Sequence, residues 1–205
     1  MTRLAGMAAY GSKTFDFADF PPGDRVLDVG CGRGRHLREM VNRGCRAVGL
    51  DPDGATLRPL RASGVSVIRG FGEALGVRTA SLDGLVACVV VPYTDEQRAV
   101  EEWGRVLRRG GVARVAVHGL GFPLRQLTRN FGPRGLVYCT RSLINTGFYR
   151  LVGRRLPGWL GDTLCQTDRR MRQYFRQNRL EVEQAPDPAR FLRLPVFHYY
   201  LLRKR

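Results

Sequence analysis

The sequence lacks a long hydrophobic run. Its longest apolar stretch, residues 85–92, has the length of a β-strand, whereas a membrane-spanning helix needs about 20 apolar residues. Residues 1–20 also contain no apolar run as long as that of a secretory signal peptide. We therefore expect a cytoplasmic protein without a transmembrane segment.

Residues that could bind a metal ion are also few. The 3 histidines lie far apart, and the 5 cysteines include no pair with the CxxC spacing of a zinc site. An odd number of scattered cysteines is typical of reduced thiols in a cytoplasmic protein. We expect free thiols and no metal site.

Acidic residues are scarce, with 18 against 34 basic residues and a net charge of +16. Residues 1–119 carry 17 basic and 13 acidic residues, a net charge of +4, whereas residues 120–205 carry 17 and 5, a net charge of +12. Such an excess favours an anionic partner, which could be nucleic acid, an acidic small molecule or an anionic lipid surface. A solvated arginine-rich surface explains the same composition.

From residue 24 onward, apolar strands alternate with helical segments. The clearest helix follows Thr94, its predicted N-cap, and is expected to stop at Gly110 and Gly111. We predict strands at residues 25–30, 46–51, 66–70, 82–91, 112–119, 180–186 and 196–205, and helices at residues 35–44, 52–64, 94–109 and 163–178. The alternation over residues 24–119 predicts a parallel, doubly wound sheet.

This alternation stops after Gly119. Residues 120–162 are rich in arginine, glycine, leucine and aromatic residues and show no clear period. We interpret them as an inserted cap of helices and loops within a single domain that spans residues 1–205.

A glycine-rich loop follows the first predicted strand. Its glycines are Gly30, Gly32 and Gly34, and Asp28 precedes them. The dinucleotide-binding pattern G-x-G-x-x-G would need glycine at position 35, where the sequence has Arg35. Glycines at such a turn let the backbone approach a ligand closely.

Four ordered motifs within residues 24–117 resemble those of class I S-adenosylmethionine-dependent methyltransferases. They are VLDVGCGRG, VGLDPD, GFGEAL, and LDGLVACVVVPY followed by EEWGRVLRRGG. The similarity is to the small-molecule, UbiE-like type 11 group. It implies an α/β, Rossmann-like, doubly wound sheet of seven strands, mostly parallel with an antiparallel last strand, and helices on both faces. It also implies S-adenosyl-L-methionine as cofactor and S-adenosyl-L-homocysteine as product.

The resemblance assigns cofactor contacts to particular positions. Asp28 would bind the methionine end, although its carboxylate could instead only satisfy loop amides. Asp51 would bind the ribose hydroxyls. Phe71 stands where the family often has an aspartate for the adenine amino group, so Phe71 or Leu75 would pack on the ring, with Glu73 as a weak substitute. The cofactor-binding set is Asp28, Gly30, Cys31, Gly32, Gly34, Asp51, Pro52, Phe71, Gly72 and Glu73.

Two residues are candidates for the catalytic centre. Tyr93 ends the fourth strand and could form a pocket wall, and His118 follows the fifth strand and could act as a general base. Ordinary packing explains Tyr93 equally well, and His118 could equally be a loop histidine without a role. Methyl transfer can also proceed by alignment of the reactants alone.

The cap would then recognise the acceptor. Its substrate candidates are Arg125, Arg129, Arg141, Arg150, Tyr138 and Tyr149. They suit methylation at O, N or C of a small, anionic or partly aromatic metabolite, such as one of secondary metabolism. The alternatives are an RNA methyltransferase, a surface that lies on anionic lipid, and a non-catalytic, cofactor-binding regulatory subunit. The oligomeric state stays open.

Overall fold

A computed structural model of the chain describes residues 15–129 and 132–205. Residues 1–14, which include most of the stretch analysed for a signal peptide, lie outside the described residues. So do residues 130–131 of the predicted cap.

The described residues form nine strands, seven of which make up the central sheet. The strands are β1 (Arg25–Val29), β2 (Arg46–Asp51), β3 (Val67–Arg69), β4 (Leu82–Cys88), β5 (Leu107–His118), β6 (Leu180–Gln184), β7 (Arg190–Phe191), β8 (Leu194–Pro195) and β9 (Phe197–Lys204). The order in the sheet is β3-β2-β1-β4-β5-β9-β6, and β7 and β8 form a separate hairpin. β9 runs antiparallel to β5 and β6, and the other sheet pairs are parallel. The predicted sheet architecture is confirmed.

Six helices accompany the described strands. They are α1 (Arg35–Asn42), α2 (Gly54–Ala62), α3 (Glu96–Val106), α4 (Gly121–Arg129), α5 (Pro133–Val152) and α6 (Asp168–Gln177). Trp103 of α3 and Phe175 of α6 belong to one buried cluster, whereas Leu37 of α1 and Leu57 of α2 belong to another. Two separate apolar cores correspond to the two faces of the sheet, as the doubly wound prediction requires.

The boundaries of α3 differ from those predicted. Asp95, not Thr94, is the N-cap, and its side chain accepts hydrogen bonds from the backbone N–H groups of Gln97 and Arg98 at 3.1 Å each. The helix ends at Val106 because Leu107 is already extended and pairs with Leu82 of β4. The glycines at 110 and 111 therefore lie inside β5 and do not stop the helix.

β4 is three residues shorter than predicted. Val89 follows it with a φ of +62°, a left-handed conformation that is unfavourable for a β-branched residue. Residues Val91–Tyr93 then form a 3-10 turn. The chain thus leaves the sheet sharply at the carboxyl end of β4, where the site described below is located.

The segment after β5 contains helices, as predicted for a cap. α4 and α5 are followed by a 3-10 turn at Gly158–Gly161. The 163–178 segment becomes helical only at Asp168, where α6 begins. None of the helices in residues 15–129 and 132–205 is long and apolar enough to cross a membrane.

Candidate cofactor and acceptor site

The three loop glycines all adopt positive φ, between +52° and +75°. A Cβ on Gly30 would lie 2.5 Å from Cγ2 of Val90, and one on Gly34 would lie 2.5 Å from Cδ2 of Leu60. A Cβ on Gly32 would have no atom within 4 Å. The outer glycines therefore permit close packing, whereas the middle one borders open space that a ligand can enter.

Asp51 is fixed beside this loop at the end of β2. The backbone N–H of Gly32 donates to its Oδ2 at 3.0 Å, and the N–H of Asp53 donates to its Oδ1 at 2.9 Å. Each carboxylate oxygen can accept more than one hydrogen bond. The carboxylate can therefore accept hydrogen bonds from two ligand hydroxyls while it holds the loop.

Asp28 lies beneath the loop and is only 2% exposed. Its Oδ2 is buried and has no hydrogen-bond partner among the described residues. Burial, with a smaller contribution from Asp51, raises the pKa of this carboxyl to about 7, although the backbone N–H of Leu37 opposes the shift. A buried carboxylate oxygen without a partner is costly, so this position suits a cationic ligand group.

The loop after β3 lies near the start of α3. Phe71 is 65% exposed, whereas Leu75 is buried in the core, so Phe71 is the residue that can offer a ring face to a planar ligand. Glu73 accepts a hydrogen bond from the backbone N–H of Asp95 at 2.9 Å, which fixes it to α3. A Cβ on Gly72 would lie 3.3 Å from Thr94, so this loop packs closely against the chain that leads into α3.

All five cysteines are free thiols, and four of them are buried. Burial raises the pKa of Cys31, Cys88 and Cys165 to about 12 and also raises that of Cys45 and Cys139. Cys31 is thus a small neutral group in the glycine loop. Within the described part of the chain, no group of three or more His, Cys, Asp or Glu side chains could hold a metal ion.

These residues fit S-adenosylmethionine. As the resemblance implies, Asp28 would hold its ammonium group, Asp51 its ribose hydroxyls, and the exposed ring of Phe71 its adenine. The open space at Gly32 leaves room for the ligand along the loop. Pro52 is exposed directly after Asp51.

A cavity of about 490 Å³ lies beyond the carboxyl end of β4. The part of the chain before β5 contributes Glu73, Tyr93, Thr94 and Asp95 to its walls. The segment after β5 contributes Tyr149, Gly153, Arg154, Arg155, Leu156, Gly158, Gly161 and Asp162. Two candidates of the sequence analysis, Tyr93 and Tyr149, thus line the same cavity. Their roles toward a substrate stay predictions.

The other substrate candidates do not line this cavity. Tyr138 lies behind it, near the side chains of Thr163, Ser142 and Tyr93, and its burial raises the pKa of its phenol. Arg141 forms an ion pair with Asp162 at 3.2 Å. Arg125 and Arg129 lie on α4, and Arg150 is exposed on α5.

His118 is 1% exposed and stacks on Phe122 with ring centroids 3.7 Å apart. Burial lowers the pKa of its imidazole to about 3. Its Nε2 is buried without a hydrogen-bond partner in the described residues. With this pKa, the ring is a weak proton acceptor at neutral pH.

Arg155 is a residue that sequence reasoning missed. Its guanidinium donates to the carbonyls of Pro92 at 3.0 Å, Gly161 at 3.3 Å and Val91 at 3.4 Å, and also to the carbonyl of Thr94. Desolvation lowers the pKa of this guanidinium. Arg155 thereby ties the segment after α5 to the turn after β4.

Comparison with known proteins finds similarity to methyltransferases. Residues 27–115 match the sequence model of the family described as "Methyltransferase domain". An uncharacterised methyltransferase of Mycobacterium tuberculosis is 32% identical over 108 residues, which are 52% of this chain and 44% of that protein. "Probable tRNA methyltransferase 9B" of Mus musculus is 31% identical over 146 residues, 69% of this chain and 30% of that protein. The chain thus spans less than half the length of these relatives.

Solved structures show the same fold at low sequence identity. A protein of Methanosarcina mazei described as a SAM-dependent methyltransferase superposes with a TM-score of 0.65 and 18% identity, over 90% of this chain and 94% of that chain. An S-adenosylmethionine-dependent methyltransferase of Mesorhizobium loti also gives a TM-score of 0.65 with 18% identity, over 89% and 92% of the two chains.

Proposed function

The chain belongs to the family of class I S-adenosylmethionine-dependent methyltransferases, and from this premise we propose that it methylates an O, N or C atom of a small molecule. S-adenosylmethionine is the cofactor of this family. The observation that carries the proposal is the pairing of a fitting cofactor cleft with a cavity of about 490 Å³ at the end of β4. Cavities of this volume are typical of small-molecule sites.

The residues of the cleft would bind and orient the cofactor. The bound cofactor supplies an electrophilic methyl group on a sulfonium sulfur. Asp28 would hold the ammonium group, Asp51 the ribose and Phe71 the adenine ring. The loop at Gly32 would leave the backbone close to the ligand because no side chain intervenes.

The cavity supports an acceptor with a planar body and a negative group. Tyr93 and Tyr149 supply aromatic walls. The lining carboxylates are engaged elsewhere in the structure: Glu73 binds the N–H of Asp95, Asp95 caps α3, and Asp162 pairs with Arg141. The Arg155 guanidinium, by contrast, donates to neutral backbone carbonyls, so its positive charge can attract an anion.

We further propose that no side chain of this site needs to remove a proton. His118 is buried, and its pKa of about 3 makes it a poor base. Alignment of acceptor, methyl group and sulfur can supply most of the catalysis. An acceptor that ionises in solution, such as a carboxylate or a phenolate, suits this arrangement.

Calorimetric titration with S-adenosylmethionine tests the cofactor site. Gly32→Ala should abolish measurable binding because the added methyl group enters the ligand space. Gly23→Ala is the matched control, since Gly23 also has a positive φ, +88°, and open space around its Cβ, but precedes β1 at the opposite end of the sheet. Equal loss of binding in both variants, or no binding by the wild type, would contradict the proposed cleft.

Transfer of a labelled methyl group into fractionated cell extract tests the acceptor class. We expect label in the small, anionic metabolite fraction, and none with Gly32→Ala. Tyr149→Leu should raise the KM for that acceptor while the Kd for S-adenosylmethionine stays constant. Absence of label from every fraction would favour a regulatory, non-catalytic protein.

Two observations favour RNA as a second candidate substrate. The similarity to the mouse protein named as a tRNA methyltransferase covers 69% of this chain, and the net charge over residues 120–205 is +12 (17 basic minus 5 acidic). A salt series with tRNA distinguishes the candidates because phosphate contacts give a steep dependence of log affinity on log salt. An affinity for tRNA that does not depend on salt, or a labelled methyl group found only in metabolites, would exclude RNA as the substrate.

A further inference from the structure

The polarity of α5 is inverted relative to that of an ordinary surface helix. Its inward face contains Ser142, Asn145 and Thr146, each at most 2% exposed. A surface helix normally buries its apolar stripe and exposes its polar residues. This inversion leaves apolar side chains of α5 exposed on its outward face.

Two of the three inward polar side chains, those of Asn145 and Thr146, are held in place by hydrogen bonds. The Asn145 side chain donates to the carbonyl of Thr163 at 2.8 Å and accepts from the N–H of Leu156 at 2.9 Å. The Thr146 hydroxyl accepts from the N–H of Cys165 at 3.0 Å. These bonds fix the rotation of α5, so its apolar residues cannot turn inward.

The outward face carries large aliphatic side chains along the whole helix. They are 50–88% exposed and comprise Leu136, Val137, Ile144, Leu151 and Val152. With a rise of 1.5 Å per residue, the stripe is about 24 Å long. Trp159 and Leu160 extend the apolar surface beyond the helix, exposed by 59% and 37%.

The charge around this face is predominantly positive. Residues 120–161 contain seven arginines and no aspartate or glutamate. Arg129, Arg134, Arg150 and Arg154 are exposed. An aliphatic stripe with arginine beside it and a tryptophan at one end is the composition of a helix that lies in the interface of an anionic bilayer.

We propose that the outward face of α5, together with Trp159 and Leu160, docks this protein on anionic phospholipid surfaces. The side chains of the stripe enter the boundary between headgroups and acyl chains, and the arginines contact lipid phosphates. Tyr149 of the same helix and Gly158, next to Trp159, line the cavity, so the docking face and the cavity share one segment of the chain.

Two other occupants agree less well with this face. A second copy of the chain would bring arginines of the same surface together, and like charges repel. RNA would contact the arginines, but proteins bind single-stranded RNA by stacking its bases on aromatic side chains. Five of the seven exposed apolar residues of this face are aliphatic side chains of α5.

Sedimentation with vesicles of phosphatidylcholine, with and without 30% phosphatidylglycerol, tests the proposal. We expect binding to the anionic vesicles that weakens as salt increases. The double variant Ile144→Ser, Leu151→Ser should lower the partition coefficient at least tenfold. Its control is Val41→Ser, Ile68→Ser, which changes two exposed aliphatic residues outside this face and should bind like the wild type.

The charge contribution is measured in the same assay. Arg150→Gln, Arg154→Gln should weaken binding to anionic vesicles about fivefold per arginine, whereas Arg58→Gln, Arg61→Gln on α2 should have little effect. Thermal melts of all variants should coincide, since every substituted side chain is exposed or nearly so.

Several results would overturn the proposal. Among them are no sedimentation with anionic vesicles, equal binding of wild type and the Ile144→Ser, Leu151→Ser variant, and equal binding to neutral and anionic vesicles. A dimer in sedimentation velocity that this variant dissociates, or tRNA binding that it abolishes, without vesicle binding, would assign the face to those partners.

Discussion

The carboxylate of Asp28, whose Oδ2 has no hydrogen-bond partner in the described residues, leads to a prediction that separates stability from function. The pKa of Asp28 is raised from 3.8 to about 7 by burial, so the folded protein binds this proton more tightly than the unfolded chain does. Stability is therefore lost as the pH rises through the window from about 4 to 7. Asp28→Asn removes that penalty because the side chain no longer ionises.

The magnitude follows from the size of the pKa shift. A shift of about 3 units at about 1.4 kcal/mol each gives an upper limit of roughly 4 kcal/mol at pH 8. The Asn amide group, left without an acceptor, costs about 1–3 kcal/mol. We expect Asp28→Asn to be more stable than the wild type by about 1–3 kcal/mol at pH 8, with an advantage that shrinks by roughly 2–3 kcal/mol at pH 5.

Urea unfolding at pH 5 and pH 8, with calorimetric titration of S-adenosylmethionine, measures both effects. The affinity of Asp28→Asn for S-adenosylmethionine should be at least tenfold lower than that of the wild type, because the ammonium group of the cofactor loses a charged partner. Asp83→Asn is an internal control of opposite sign: Asp83 pairs with Arg25 and Arg108, which lower its pKa, so that variant should be less stable at pH 8. If Asp28→Asn is less stable than the wild type at pH 8, or if its advantage is independent of pH, the reasoning is refuted.

Two further substitutions test the acceptor side. Arg155→Gln should lower the free energy of unfolding by about 1–3 kcal/mol because it removes the donor that four backbone carbonyls share. Urea unfolding measures this effect, with the exposed Arg134→Gln as control. Equal midpoints of the two variants would show that the hydrogen bonds of Arg155 do not stabilise the fold. His118→Leu should leave kcat within about threefold of the wild type, since a base with a pKa of about 3 contributes little at neutral pH. As the pH falls from 7 to 5, the free energy of unfolding of this variant should rise by about 2 kcal/mol relative to that of the wild type. The reason is that the buried imidazole resists protonation, so the wild type loses stability below pH 6.5. A hundredfold loss of kcat would instead identify His118 as the base.

The parts of the fold that sequence could predict are those set by local chemistry. The glycines at 30, 32 and 34 need positive φ, and glycine is the residue type that adopts it readily. The alternation of apolar strands and helices similarly predicted the sheet. The end of α3 was missed because it depends on Leu107 pairing with Leu82, a contact between residues distant in sequence.

The parts of the site that sequence missed leave no pattern of residue types. Arg155 binds backbone carbonyls, which every residue has, so nothing at positions 91–94 or 161 identifies its partners. The β7–β8 hairpin was missed because Leu192 and Arg193 adopt positive φ there, although glycine and asparagine are the usual residues of such turns. The cavity depends on how the segment after α5 folds back onto the turn after β4.

The protonated state of the five thiols has a practical consequence for spectroscopy. Thiolates are the reactive form of cysteine, and the raised pKa values leave almost none at neutral pH. A single cysteine introduced at exposed Gly147 on the outward face of α5 would therefore be alkylated far faster than the native thiols. An environment-sensitive fluorophore attached there would report transfer of α5 between water and lipid in an otherwise unaltered chain.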